Sequence, residues 1–254
     1  MEGRVDARRK PRSVGHGCIG YGGKVRLPPP PYLACMSDAL IVFAKVPQPG
    51  AVKTRLCPPL SPEQAADLYA AMLADALAQY AALGPAVRLY LPPSDAALDA
   101  SIGAGKTFVQ KGDGLGARML RAFAETFAAG FDRAVIVGTD HPTLPSDFLG
   151  LAFDELETRQ TVTLGPSDDG GFYAMGLREP HPALFLGMTY SHDRVLADTL
   201  DRAAAADLPV TLLPPWYDVD DAASLERLRA DLDANAAPRT KAWLAGWDVP
   251  SAVE

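Results

Sequence analysis

The chain has no long apolar run. Nothing in its 254 residues approaches the ~20 consecutive apolar residues that a membrane-crossing helix needs. It is poor in cysteine: Cys18, Cys35 and Cys57 are the three present, at no metal-ligand spacing and in no even framework. A disulfide scaffold and a cysteine-rich zinc module are therefore excluded, and the expected compartment is the reducing cytoplasm. Positive charge is also short, with 24 Lys+Arg against 31 Asp+Glu and a net charge of −7. That balance argues against a nucleic-acid polymer as partner. It leaves room for a small nucleotide, whose phosphates need only a local basic loop and a metal ion. The pattern GxxxxGK[ST] is missing, which argues against a P-loop ATPase, and neither GxSxG nor HExxH occurs to support a triad hydrolase or a zincin.

What is present is an ordinary globular composition, 48% hydrophobic, long enough for a substantial core. The first 36 residues differ from the rest. They hold seven Lys/Arg, two acids and the run Pro28–Pro31. They contain no apolar stretch of signal-peptide length. The expectation is a basic disordered leader or a start assigned too early, with Met36 as a natural start. A single domain is expected over residues 37–235 and a tail over residues 236–254.

Apolar runs then alternate with helical patterns. Ala39–Ala44 reads as a strand. Ser61, Pro62 and Glu63 open a helix running to about Leu83, since Ser caps, Pro suits the first turn and an acid favours the positive end. Further strands are expected at Val87–Leu91, Lys106–Gln110, Ala134–Val137, Thr161–Leu164, Gly171–Leu177 and Val210–Leu213. Helices are expected at Leu115–Ala129, Ser146–Arg159, Ser191–Ala206 and Ala222–Ala234. Alternation of this kind predicts a mainly parallel sheet covered by helices on both faces, an α/β/α three-layer fold. Ligands of such sheets bind beyond the carboxyl ends of the strands.

Polar clusters follow three of the strands. After Ala44 come Lys45, Gly50, Lys53 and Arg55. A glycine- and proline-bearing loop with three cations reads as a polyphosphate cradle, Arg55 binding bidentately and Lys53 acting as a point charge. After Val137 comes Gly138-Thr139-Asp140-His141-Pro142. An Asp at the tip of a buried strand is expensive unless paired or metal-bound. Asp140 is therefore the leading metal-ligand candidate, with Mg²⁺ or Mn²⁺ as the ion. After Leu213 come Asp218, Asp220 and Asp221. Asp218 and Asp220 alternate and share one face in extended backbone. Either can join Asp140 on one ion, Asp220 being preferred, while Asp221 is placed to cap the last helix. Two further segments are glycine-rich. Gly112–Met119 carries Gly114 and Arg118 and reads as a base- or ribose-contacting loop, with Arg118 near phosphate. Gly165–Tyr173 carries Asp168, Asp169 and Gly170; it reads either as a hairpin turn or as a substrate-contacting loop. Ser191-His192-Asp193-Arg194 reads as a capping segment.

In this order the motifs KVPQPGAVKTRL, GDGLGARM, GTDHPTLP, GPSDDGGFYAMGL and YDVDDAASL resemble the DUF2064 family, also called radical-SAM/selenodomain-associated transferase 1. The resemblance covers about Ala39–Leu232. It departs from the family pattern at His141, where a small residue or Cys is expected, and at His192, where Thr is more usual. That family is similar to guanylyltransferases acting on phospholactate, within the nucleotide-diphospho-sugar transferase superfamily of GT-A fold. The resemblance implies Lys53 and Arg55 on the phosphates, Asp140 and Asp220 on the metal, and Asp168, Asp169 and Gly170 facing the acceptor or sugar. Two enzyme readings share such a site. One is nucleotidyl transfer from an NTP to a small phosphorylated acceptor. The other is glycosyl transfer from a nucleotide-sugar, with Asp168 or Asp169 as general base. A non-catalytic nucleotide-binding module is the reading from another class.

Overall fold

The computed structural model describes residues 36–93, 107–232 and 237–247. The expected leader (apart from Met36), Lys106, residues 233–234 and the end of the chain lie outside the described residues. Among the described residues there are seven strands and six α-helices, the strands and the first five helices in the expected order. They are β1 (Asp38–Phe43), α1 (Pro62–Ala82), β2 (Ala86–Leu91), β3 (Thr107–Val109), α2 (Leu115–Ala128), β4 (Arg133–Val137), α3 (Ser146–Asp154), β5 (Val162–Pro166), β6 (Phe172–Leu177), α4 (Val195–Ala205), β7 (Val210–Leu212), α5 (Ala222–Asp231) and α6 (Pro238–Ala245). Among the described residues no helix is long and apolar enough to cross a membrane.

The strands form one sheet in the order β3-β2-β1-β4-β6-β5-β7. β1 pairs in parallel with both β2 and β4, β2 with β3, and β5 with β7. β6 alone is antiparallel, to β4 and to β5. Period-two alternation explains the three layers. Leu40, Val42, Val135 and Val137 face one side, packing against Leu73, Ala76 and Tyr80 of α1 and Leu149, Ala152 and Phe153 of α3. Ile41, Ala134 and Ile136 face the other, against Met119 and Phe123 of α2 and Ala203 of α4. Covered on both faces, β1 and β4 bury nearly all their side chains.

The helix starts obey their caps. Ser61 accepts from the Gln64 N–H while the Gln64 side chain reaches back to the Ser61 N–H, a reciprocal capping box. Asp221 and Ser224 do the same for α5. α3 is shorter than expected, ending at Asp154 rather than Arg159. α6 has no counterpart in the sequence reading. Its first N–H groups are held by buried Asp75 of α1, which accepts from Thr240 N at 2.8 Å and Arg239 N at 3.2 Å.

Candidate active site

The carboxyl ends of β1 and β4 open onto a cavity of about 780 Å³. Its walls come from the segments after β1, β3 and β4, from the N-terminal part of α2, from the β5–β6 turn, and from Asp218 and Asp220 beyond β7. This is where a mainly parallel sheet gathers polar chain ends.

The loops after β1 and β4 are tied together from below. Lys45 N–H donates to the Tyr69 hydroxyl at 2.9 Å, which is itself 2.9 Å from Thr139 Oγ1. The Tyr80 hydroxyl donates to Gly138 O at 2.9 Å. Burial, helped by Asp140, pushes the Tyr69 phenol up to about 12, so it stays a neutral hydrogen-bonding hub. Further along, Val219 N–H donates to Asp140 O at 2.8 Å, stitching the two acidic segments side by side.

Lys53 is the centre of this arrangement. It begins the short 3₁₀ turn Thr54–Leu56 from a left-handed conformation, φ 48° and ψ 36°. For a non-glycine residue that conformation carries a cost of order 1 kcal/mol and implies that surrounding contacts hold it. Its side chain is only 3% exposed, and Nζ lies 2.5 Å from Asp140 Oδ1 and 2.9 Å from Asp220 Oδ1. Burial on its own would lower the ammonium's pKa. The charges and hydrogen bonds of Asp140 and Asp220 together outweigh it and raise the pKa above its ordinary value, so Lys53 is a permanent cation.

Beneath the pair lies a second, closed network. Asp218 accepts from His141 Nδ1 at 3.1 Å and from the Ser167 hydroxyl. A carboxylate only accepts, so His141 carries its proton on Nδ1. Burial would raise the Asp218 pKa, yet the hydrogen bond and charge of His141, then Ser167, hold it below the usual carboxylate value. His141 is buried, and its Nε2 has no partner among the described residues.

The remaining expected residues divide. Lys45, Arg55, Arg118 and Asp169 all line the cavity, and Arg118 sits there with Nε on Gly112 O at 3.2 Å. Gly114 begins α2 with φ 85° and no side-chain cap, a conformation that favours glycine. Asp169 closes the β5–β6 turn by accepting from Gly171 N–H at 2.8 Å. Asp168 and Gly170 are not on the cavity wall. Asp168 turns outward, its Oδ2 2.7 Å from Arg227 Nη1. Gly170, at φ 85°, lets Asp193 O approach so closely that a Cβ would sit 2.0 Å from it. Gly50 occupies an exposed turn away from the wall.

A helix start is corrected as well. The segment Ser191–Arg194 does not open a helix: Ser191 has φ 67°, and α4 starts at Val195. His192 folds back between Thr189 O and Arg194 N, and Leu196 N–H is held by Gly170 O at 2.8 Å. The segment instead supplies Ser191, His192 and Asp193 to the cavity wall. Tyr69, Ser167 and Tyr190 were not singled out from sequence. The available signal was that a buried tyrosine hydroxyl needs a partner.

Among the described residues no three His, Cys, Asp or Glu side chains gather to hold a metal unaided. Asp140 and Asp220 nevertheless converge on one cation, the Lys53 ammonium. Only Oδ1 of each carboxylate is engaged there, and their side chains remain 44% and 46% exposed on the cavity. A pair of carboxylates completed by substrate phosphates is the usual Mg²⁺ donor set, and these two fit it.

Fold and site together define the class: this is the nucleotide-diphospho-sugar transferase fold. A crystal structure from Desulfovibrio desulfuricans G20, provisionally described as a nucleotide-diphospho-sugar transferase, is similar throughout. It has a TM-score of 0.76 and 32% identity over 83% of this chain and 95% of that one. The chain belongs to the family described as "Uncharacterized protein conserved in bacteria (DUF2064)", whose model matches residues 64–192. More distant structures share the fold. One is the mannose-1-phosphate geranyltransferase of Thermus thermophilus (TM-score 0.50, 19% identity, 76% of this chain and 79% of that one). Another is the 4-diphosphocytidyl-2C-methyl-D-erythritol synthase of Anaerococcus prevotii DSM 20548 (TM-score 0.50, 9% identity, 82% and 96%). None of the curated proteins matches the chain.

Proposed function

We propose that the chain is a metal-dependent nucleotidyltransferase that moves an NMP group from an NTP to a small phosphorylated acceptor. The observation that carries this reading is the charge distribution of the cavity. Lys45, Arg55 and Arg118 line it without an ion pair among the described residues, beside the Asp140–Asp220 pair. Cations without an ion pair beside a carboxylate pair suit a polyphosphate that carries a divalent ion.

In this reading Lys45 and Arg55, on the loop after β1, hold the β- and γ-phosphates. An oxygen of the acceptor phosphate attacks the α-phosphorus, the α–β bridging bond breaks, and pyrophosphate leaves with the bridging electron pair. Arg55 neutralises the charge that grows on the leaving group, where preorganised cations act most strongly. Arg118, on α2, is the cation available to the acceptor phosphate. A phosphate nucleophile is already ionised near neutral pH, so the step needs no general base. Mg²⁺ or Mn²⁺ held by Asp140 and Asp220 would supply Lewis-acid stabilisation of the phosphate oxygens.

Glycosyl transfer from a nucleotide-sugar is the second reading. Asp169 favours it, standing on the cavity wall where a base for an acceptor hydroxyl would be needed. A thermal-shift panel separates the two, comparing the four NTPs with UDP-, GDP- and dTDP-sugars, each with Mg²⁺, Mn²⁺ or EDTA. Ligand at a hundredfold excess over Kd stabilises the native state by ~2.7 kcal/mol, a shift that is easily read. A metal-dependent shift with one NTP supports nucleotidyl transfer. Shifts with a nucleotide-sugar and none with any NTP would reverse the ranking.

A further inference from the structure

We infer that Lys53 is an internal counter-ion rather than a phosphate ligand. It holds Asp140 and Asp220 as one pair and keeps a bare divalent ion out until nucleotide phosphates arrive with it. The inference rests on the metal-dependent reading above and adds an order of binding to it.

Three observations lead here. First, the ammonium occupies the point on which the two carboxylates converge. It takes Oδ1 of each, at 2.5 and 2.9 Å, and leaves Oδ2 of each without a hydrogen bond among the described residues. Second, Lys53 is pinned. Its side chain is 3% exposed, its backbone is left-handed, and its Nζ stands 5.8 Å from the centre of the Tyr69 ring. Moving Nζ to a phosphate in the cavity would strip two carboxylates of their buried partner. Lys45 and Arg55, on the same loop, are exposed and have no such duty.

Third, the charge is deliberately incomplete. Two carboxylates and one ammonium leave a single net negative charge. The nearest further acid in this group, Asp218, is consumed by His141 and Ser167. No third carboxylate or imidazole completes the set among the described residues. A bare divalent ion held by Asp140 and Asp220 would be repelled by the fixed positive charge of Lys53, which both carboxylates already contact. Phosphate oxygens supply both the missing ligands and the missing negative charge, so ion and nucleotide enter together.

The test is Mn²⁺ binding followed by loss of the free-ion EPR signal, on the full chain without nucleotide. Wild type is compared with Lys53→Met, which keeps the stem's bulk and removes the charge, and with Lys53→Arg, which keeps the charge. Removing a unit charge this close to the ion should tighten Mn²⁺ binding by about tenfold or more in Lys53→Met, with little gain in Lys53→Arg. Equal affinity of wild type and folded Lys53→Met overturns the inference and leaves the transferase reading standing. If Lys53→Met does not fold, Lys53→Gln, which also removes the charge, takes its place in the same comparison: tighter Mn²⁺ binding than wild type supports the inference and equal affinity overturns it. NTP turnover by wild type that persists in EDTA would instead remove the metal from the proposed function, and this inference with it.

Discussion

The two ends of the central strands β1 and β4 each carry a carboxylate–cation cluster, and the clusters differ in stoichiometry. At the amino end, Asp38 and Arg133 form a one-to-one bidentate pair with both N···O distances 2.7 Å. Arg133 also donates to Phe153 O at 2.9 Å. Charge and hydrogen bonds are balanced, and the pair joins neighbouring strands at their register point, Asp38 opposite Arg133. At the carboxyl end, one ammonium serves two carboxylates, one oxygen of each stays open, and the net charge is negative. A saturated pair has nothing left to offer a ligand; an unsaturated one keeps acceptor atoms open. The same sheet thus places a saturated ion pair at one end and an unsaturated carboxylate pair, open to the cavity, at the other.

Asp140→Asn gives the largest expected effect. It removes one of two converging carboxylates, and turnover should fall by roughly 10²–10³-fold, the scale of losing one electrostatic stabiliser. Far-UV circular dichroism should remain native. Full activity in a folded Asp140→Asn protein would erase the distinction between the two ends.

Next in size is the support beneath the cluster. Asp218 is partly buried and its pKa is held below the usual value, so its contribution to stability is complete above the unfolded value near 3.8. It is lost as pH falls through the lower folded value. Asp218→Asn should cost roughly 1–3 kcal/mol at pH 7 by breaking the His141 and Ser167 bonds. Urea titrations from pH 7 to pH 3 should show the gap to wild type closing as acid protonates Asp218. A gap that stays constant with pH would mean that its charge does not matter.

At the amino end the expectation is inverted. Asp38→Asn should lower stability by about 1 kcal/mol and leave kcat and KM of the folded protein unchanged, read from paired urea and kinetic measurements. A change in kinetics larger than the change in stability would make the two ends functionally linked.

How much of this was legible before folding depends on range. β1 and β4 were readable because burial on both faces leaves an unbroken apolar run, and α1 and α5 because Ser61 and Asp221 carry local capping signals. The orientation of β6 was not readable: Phe172–Leu177 is an apolar run like the others, and only its pairing partners make it antiparallel. At the site, the cavity gathers Lys45, Lys53, Arg55, Arg118, Asp140, Asp169 and Asp220 of the residues expected from sequence, while Gly50, Gly114, Asp168 and Gly170, expected there as well, are not on its wall. The sequence could not tell that Lys53 faces inward to the acids while Arg55, two residues on, faces the cavity. That choice rests on one left-handed residue and on a partner 167 positions away. The wall formed by Ser191–Asp193 was hidden for the same reason, since Gly170 and Asp193 meet only in three dimensions.

The smallest effect is expected from the neighbouring acids Asp168 and Asp169, which were alike in sequence and are separated by the turn. Asp168 has its partner outside the cavity, in Arg227 at 2.7 Å, with both side chains about half exposed. An exposed pair of this kind is worth about 0–1 kcal/mol. Asp168→Asn should therefore leave kcat/KM within about twofold of wild type and barely move the unfolding midpoint. Asp169 lines the cavity, and Asp169→Asn keeps the bond to Gly171 N–H while removing a negative charge from the wall. Its effect should appear in the KM of the acceptor rather than in stability. In the nucleotidyl reading a phosphorylated acceptor is repelled by that charge, so KM should fall or stay level; in the glycosyl reading the lost base lowers kcat. Steady-state kinetics of the two single variants, measured side by side, thus separate the neighbours from each other and the two reactions as well. A loss of kcat/KM at Asp168 well beyond about twofold would overturn its placement outside the cavity.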